Sequence, residues 1–135
     1  MSVQPALWVV AVLLAALVTT HGCGNETGPT VSGEFDVSLV SPNTDGALVL
    51  TVRGRLSEQP RGTAGVTTVY ARPVSDSEWR VLVFGTISGG PLLRLTVPDV
   101  SAMEQYRVSV DEVAGLDNQL RPDLTSYAAG VGTPK

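Results

Sequence analysis

From Glu34 onward, apolar and polar side chains alternate with a period of two. That spacing sets one face of a strand against a core and the other against water. "EFDVSLV" (34–40) places Phe35, Val37 and Leu39 opposite Asp36 and Ser38. "ALVLTVR" (47–53) groups Leu48, Leu50 and Val52 against Ala47, Val49, Thr51 and Arg53. "TTVYARP" (67–73) sets Val69 and Ala71 inward and Thr68, Tyr70 and Arg72 outward. "LLRLTV" (92–97) turns Leu93, Leu95 and Val97 inward, and "YRVSVDEV" (106–113) does the same with Tyr106, Val108 and Val110. "WRVLVFGTI" (79–87) is apolar on both faces and predicts a strand in the interior of a sheet. "TSYAAGV" (125–131) is a weaker final strand. Turn formers separate these runs in "SPNTDG", "PVSDSE", "SGGP" and "PDVSAMEQ", and only "SAMEQ" could form a helical turn. The pattern predicts an all-β chain, a single antiparallel β-sandwich of about seven strands.

The chain before this domain reads differently. Ala6 to Val18, "ALWVVAVLLAALV", has no polar side chain. As a helix it would span roughly 20 Å, short of the roughly 30 Å of a bilayer core. Its length suits the apolar region of a secretory signal. "THGC" (20–23) follows, and with Gly22 and Cys23 it resembles the lipobox of bacterial lipoproteins. The resemblance implies that Cys23 becomes the first mature residue and carries a diacylglyceryl thioether and an N-acyl chain. Two acyl signals already make an anchor stable where one is marginal. Asp directly after the cysteine favours inner-membrane retention in that family. Gly24 stands there, which implies the outer membrane in a host that has one. "GNETGPTVSG" (24–33) reads as a flexible tether. The expected organisation is a signal over 1–22, a lipidated cysteine and tether over 23–33, a sandwich over 34–131 and a tail over 132–135.

Within the sandwich, "LLRLTVPDVSAMEQYRVSV" (92–110) resembles the E–F corner of immunoglobulin-like sandwiches. There a strand ends, the chain crosses between sheets, and a tyrosine opens the next strand. Tyr106 would be that tyrosine, its hydroxyl bonding to upstream backbone. The strand pattern is also similar to cohesin-type and carbohydrate-binding sandwiches. Fold alone confers no function.

Composition narrows the chemistry. The chain has 13 acidic and 9 basic residues, a net charge of −4, and no basic cluster, which argues against a nucleic-acid partner. His21 is the only histidine and would leave with the signal, and Cys23 is the only cysteine. No disulfide, Ser–His–Asp or Cys–His arrangement, or Cys/His metal site can therefore form within the mature chain. Asp111 and Glu112 are neighbours on a strand and point to opposite faces. Asn43 and Asp45 have some of the spacing of a calcium loop, but Asn and Asp are also what a tight turn prefers. Candidate ligand-facing residues are Tyr70 and Arg72, set outward by the alternation, and Trp79, at the rim of its strand. No cofactor is expected. The resulting expectation is a non-enzymatic, lipid-anchored protein of the bacterial cell envelope, with a sandwich that binds an envelope protein or serves a structural role. A carbohydrate-binding module is the alternative, with a glycan as partner, and a hydrolase stands behind both.

Lipidation has a direct readout. Intact-mass spectrometry of the processed protein should find Cys23 at the N-terminus carrying acyl chains, and Cys23→Ser should yield a soluble form or an unprocessed precursor. An unmodified Cys23 in processed protein would remove the anchor.

Overall fold

The alternation closes into two layers. The computed structural model describes residues 28–63 and 68–134. Among them run eight strands, Gly33–Val40 (β1), Asp45–Arg53 (β2), Arg61–Gly62 (β3), Thr68–Ser75 (β4), Glu78–Ile87 (β5), Gly90–Val97 (β6), Arg107–Gly115 (β7) and Ala128–Pro134 (β8). A 3-10 helix, Val100–Gln105, joins β6 to β7. One antiparallel sheet has the order β3-β6-β1-β8 and the other β4-β5-β2-β7. The inward positions read from the sequence in β1, β2 and β6 supply the core, joined by Val81 and Val83 of β5, whose inward face the sequence leaves open. Phe35, Val37 and Leu39 of β1, Leu48, Leu50 and Val52 of β2, Val81 and Val83 of β5, and Leu93, Leu95 and Val97 of β6 are each at most 3% exposed. Burying such a side chain stabilises the fold by roughly 1.5–3 kcal/mol, set against the entropy of ordering it.

Three details depart from simple alternation. β3 is a two-residue strand pairing Arg61 with Arg94 and Gly62 with Leu93, too short to leave a periodic trace. β8 continues through residues 132–134, where the sequence suggests a tail, because Phe35 of β1 pairs with Pro134. In β7, Leu50 faces Val110 while Val49 faces Glu112, so Asp111 is an extra, bulged residue, and Asp111 and Glu112 share the outward face instead of pointing to opposite faces as simple alternation predicts. The bulge resets the phase and lets Val113 point into the core after Val110.

The crossover from β6 to β7 is held by polar contacts. The Asp99 carboxylate accepts from the Ser101 N–H at 3.0 Å and the Ser101 hydroxyl at 2.7 Å, which caps the 3-10 helix and keeps the carboxyl below its ordinary range. Tyr106 ends that helix. Its ring meets Phe35 edge to face at 5.2 Å, and its hydroxyl donates to the Arg55 carbonyl at 2.7 Å. The bond therefore reaches back across the fold to the loop after β2, instead of closing the crossover on itself. Gly54 makes room for it. That residue has φ +126°, and a Cβ there would overlap the Tyr106 ring. At this same end the Val100 N–H donates to the Val31 carbonyl at 2.8 Å, fastening the chain that enters β1.

Tyr106→Phe keeps the ring and removes the hydroxyl, so it should cost about 1–3 kcal/mol and lower the melting midpoint by several degrees. Burial pushes the Tyr106 phenol above its ordinary value of 10.0. A folded pKa above the unfolded one contributes stability at lower pH that is lost as pH rises past about 10 and through the folded value. Tyr106→Phe should flatten that alkaline loss, measured as melting midpoint against pH. A variant that melts like the parent at every pH would show that the ring alone matters here.

Candidate functional site

Each sheet has one dry face, and the two outward faces differ in kind. On the β3-β6-β1-β8 sheet, Arg94 lies 3.2 Å from Asp36 and 3.6 Å from Glu34, and Arg61 lies 2.8 Å from Glu34. Around Glu34, Asp36, Arg61 and Arg94 that face is ion-paired, as a solvated sheet is, while toward the other end of β1 Val40 is exposed beside Ala128. The outward face of the β4-β5-β2-β7 sheet carries apolar residues beside charged ones, among them Arg53 and Glu78, 3.3 Å apart. Strand register lines up Tyr70, Leu82, Val49 and Glu112 in one row across the sheet. The next row is Thr68, Phe84, Ala47 and Ala114. Tyr70 is 65% and Phe84 39% exposed, while Leu82, Val49, Ala47 and Ala114 are half-buried. The two rings meet edge to face, with centroids 6.5 Å apart and planes at 80°.

The row on the other side of Tyr70 is charged. Arg72 of β4 and Arg80 of β5 are directly opposite each other, in line with Thr51 and Ser109. Like charges so placed are destabilising. Arg80 is compensated by Asp111 at 3.6 Å. The bulged Asp111 also accepts from the Thr51 hydroxyl at 2.5 Å and the Ser109 hydroxyl at 3.1 Å. Among the described residues the Arg72 side chain has no hydrogen bond or ion pair. Tyr70, Ala71, Arg72, Arg80 and Leu82 line a shallow depression of about 290 Å³.

Tyr70 and Arg72 thus lie side by side, but Trp79 is not with them. It is on the opposite face of β5, packs against the core, and walls a separate cleft of about 460 Å³ with Arg55, Leu56, Pro73 and Asp76. Cys23 lies outside the described residues. Leu82, Phe84 and Arg80 were not singled out from the sequence. Their signal was the strand that is apolar on both faces. In a two-layer fold such a strand buries one face only.

Asn43 and Asp45 belong to a different arrangement. Asp45 opens β2 and is 1% exposed. Nε and Nη2 of Arg121 each lie 2.9 Å from its Oδ1. The Tyr127 hydroxyl donates to its Oδ2 at 2.7 Å, and the Ser41 hydroxyl does so at 3.4 Å. Asn43 turns its Nδ2 toward the Tyr127 oxygen at 3.1 Å. Both carboxylate oxygens are therefore committed to donors. Among the described residues no group of three or more His, Cys, Asp or Glu is placed to hold a metal ion. The hydrogen bond from Arg121 to Asp45 raises the guanidinium pKa further. Arg121 is brought there by the loop after β7, where its N–H donates to the Val113 carbonyl at 2.8 Å and Gly115 donates to Gln119 at 2.9 Å. A side chain at Gly115 would displace the Asp117 carboxylate and the Arg121 guanidinium, because a Cβ would sit 2.7 Å from Asp117 Oδ1 and 3.0 Å from Arg121 Nη2.

Comparison with known proteins returns no match among family models, curated proteins or solved structures.

If Asp45 is a structural clamp, Asp45→Asn should destabilise by about 1–3 kcal/mol in a denaturant titration, since a neutral amide loses the charge-assisted bonds. Arg121→Met should also destabilise, and the double variant should cost less than the sum of the two. Calcium should leave the parent's melting midpoint unchanged. A calcium-dependent rise would instead mark the loop as a cation site.

Proposed function

We propose that this chain is a non-enzymatic lipoprotein of the bacterial cell envelope, held at the outer membrane where one exists by lipid on Cys23. Its sandwich docks another envelope protein through the outward face of the β4-β5-β2-β7 sheet. The observation that carries the reading is the exposed ring pair Tyr70–Phe84 above Leu82 and Val49. Nothing in the fold needs apolar side chains on that face, and the ion-paired part of the other outward face, Glu34, Asp36, Arg61 and Arg94, shows how the same chain builds a solvated surface. Tyrosine and phenylalanine over half-buried aliphatic residues, with arginine at the side, have the composition of an interface centre.

The finer fold reading is an immunoglobulin-like or cohesin-like sandwich. Supporting it, the β6, 3-10 helix and β7 succession has the order of an E strand, a corner and an F strand, with a tyrosine hydroxyl bonded to backbone. A departure is β8, which lies beside β1 and not beside β7. The carbohydrate-binding alternative rests on the Trp79 cleft, where Ser75, Asp76 and Arg55 surround an aromatic wall. On the Tyr70 face, rings set at 80° cannot both stack on one flat sugar chain.

A photo-crosslinking residue in place of Phe84 should give one defined protein adduct in the native envelope. The same residue in place of Val40, which is 63% exposed but on the other sheet, should not. Adducts of equal yield at both positions would contradict a dedicated face.

A further inference from the structure

We infer that the cleft walled by Trp79 binds a neutral saccharide, a short chain of uncharged sugar rings, and is a second site independent of the docking face. Trp79 lies on the inward side of β5, between Val52 of β2 and Pro73 of β4. It packs against the core yet stays only half-buried, and with Leu56 it gives the cleft its apolar wall. Its indole N–H has no hydrogen bond among the described residues. Since no buried side-chain nitrogen there lacks a partner, that N–H is open to water. Arg55 and Asp76 add a donor and an acceptor at the rim, both exposed and neither in an ion pair among the described residues. The two loops that carry these groups are fastened in advance. The Gly54 N–H donates to the Ser77 carbonyl at 2.8 Å, which joins the loop after β2 to the β4–β5 turn. The Tyr106 hydroxyl holds the Arg55 carbonyl at 2.7 Å, and the Ser77 N–H donates to Ser75 Oγ at 3.3 Å. A ligand therefore meets walls that need little further ordering.

The chemistry of these groups selects the ligand. An indole offers an apolar body with one polar handle, which suits a ring that carries C–H groups on one side and hydroxyls around its edge. Hydroxyls donate and accept alike, so they match a guanidinium, an indole N–H and a carboxylate together. One cation and one anion give the rim no net charge, and a ligand of either sign meets a like charge as well as an opposite one. A zwitterion would match both, but Arg55 and Asp76 stand in water, where ion pairs are worth little. Contact with the half-buried Trp79 ring removes apolar surface from water and carries the affinity. The volume of about 460 Å³ lies within the roughly 300–1,000 Å³ of small-ligand sites. Pro73 has no N–H and interrupts the β4 edge beside the cleft, so an extended polypeptide cannot pair along it. Trp79 and the Tyr70–Phe84 face are on opposite sides of the sheet, which leaves both sites free to be filled at once.

The test titrates the full chain, purified in detergent, with four neutral trisaccharides: cellotriose, maltotriose, chitotriose and mannotriose. Binding is read by tryptophan fluorescence and by ligand-observed NMR. At least one trisaccharide should bind with a Kd of about 1 mM or tighter. It should shift the emission of the parent but not of Trp79→Phe, which separates Trp79 from Trp8. By NMR, Trp79→Phe and Asp76→Ala should each weaken binding about threefold or more. Asp76→Ala should leave the melting midpoint unchanged, because that carboxylate holds nothing in the fold among the described residues. Raising salt should change the affinity by less than about twofold, since no net charge is recognised. Tyr70→Ser should not change it, and saturating saccharide should not change the Phe84 crosslink. Failure of all four trisaccharides to bind below about 10 mM would overturn the saccharide site and leave the docking face standing. Binding indifferent to both Trp79→Phe and Asp76→Ala would overturn it as well. Tighter, salt-sensitive binding of the zwitterionic dipeptide Gly-Leu would replace the saccharide by a charged ligand.

Discussion

A two-layer sandwich gives every strand one dry face, and the rest of this structure follows from how the chain uses it. The inward positions of β1, β2, β5 and β6 are filled by aliphatic residues and Phe35, and these residues contact one another across the layers. Once that core is satisfied, the outward positions are free of folding demands. They record what the surface is for. On one sheet they include Glu34, Asp36, Arg61 and Arg94, in mutual ion pairs of small energetic weight, with Val40 as the exposed apolar exception. On the other they include Tyr70, Leu82, Phe84 and Val49, which water solvates poorly, beside a row with Arg72 and Arg80. The asymmetry between the two outward faces is the main functional signal in the molecule.

With no disulfide possible within the domain, its two ends are closed by long-range polar contacts. At one end the Tyr106 hydroxyl ties the start of β7 to the loop after β2, over a glycine that no other residue could replace without moving the ring. At the other, the buried Asp45 carboxylate gathers the β1–β2 loop, the β7–β8 loop and the start of β8 through Ser41, Arg121 and Tyr127. A buried carboxylate is costly to desolvate, and here Arg121 and Tyr127 offset the cost. Each of its oxygens has a donor, and no buried side-chain polar atom among the described residues is left without one.

The strands were legible because alternation is a local signal. Each of the seven segments read from the sequence contains a strand, although Tyr106 precedes β7 and Thr125 to Tyr127 precede β8, and the inward residues form the core or pack against it. What escaped was non-local or too short. β3 has two residues, and no periodicity can be seen in two. The Asp111 bulge depends on how β7 pairs with β2, and Val113 faces inward only because of it. Asp45 and Arg121 are 76 positions apart, so the turn-like spacing around Asn43 gave no hint that its neighbour was a buried clamp. The candidate site was half legible. Tyr70 and Arg72 followed from clean alternation. Trp79 reads as a rim residue from its place at the opening of its strand, and strand parity puts it on the other face of β5. Leu82 and Phe84 were visible as apolar residues, but their meaning depended on knowing that no third layer covers them.

The central claim is that the Tyr70–Phe84 face is covered by a protein partner in the native envelope and bare in the isolated chain. Hydroxyl-radical footprinting with mass spectrometry measures this directly, because both aromatic side chains are reactive when exposed. Tyr70 and Phe84 should be strongly modified in purified protein and protected in intact envelopes, while Met103 and Leu116 on other exposed surfaces should react equally in both. Equal modification of Tyr70 and Phe84 in the two preparations would contradict the account.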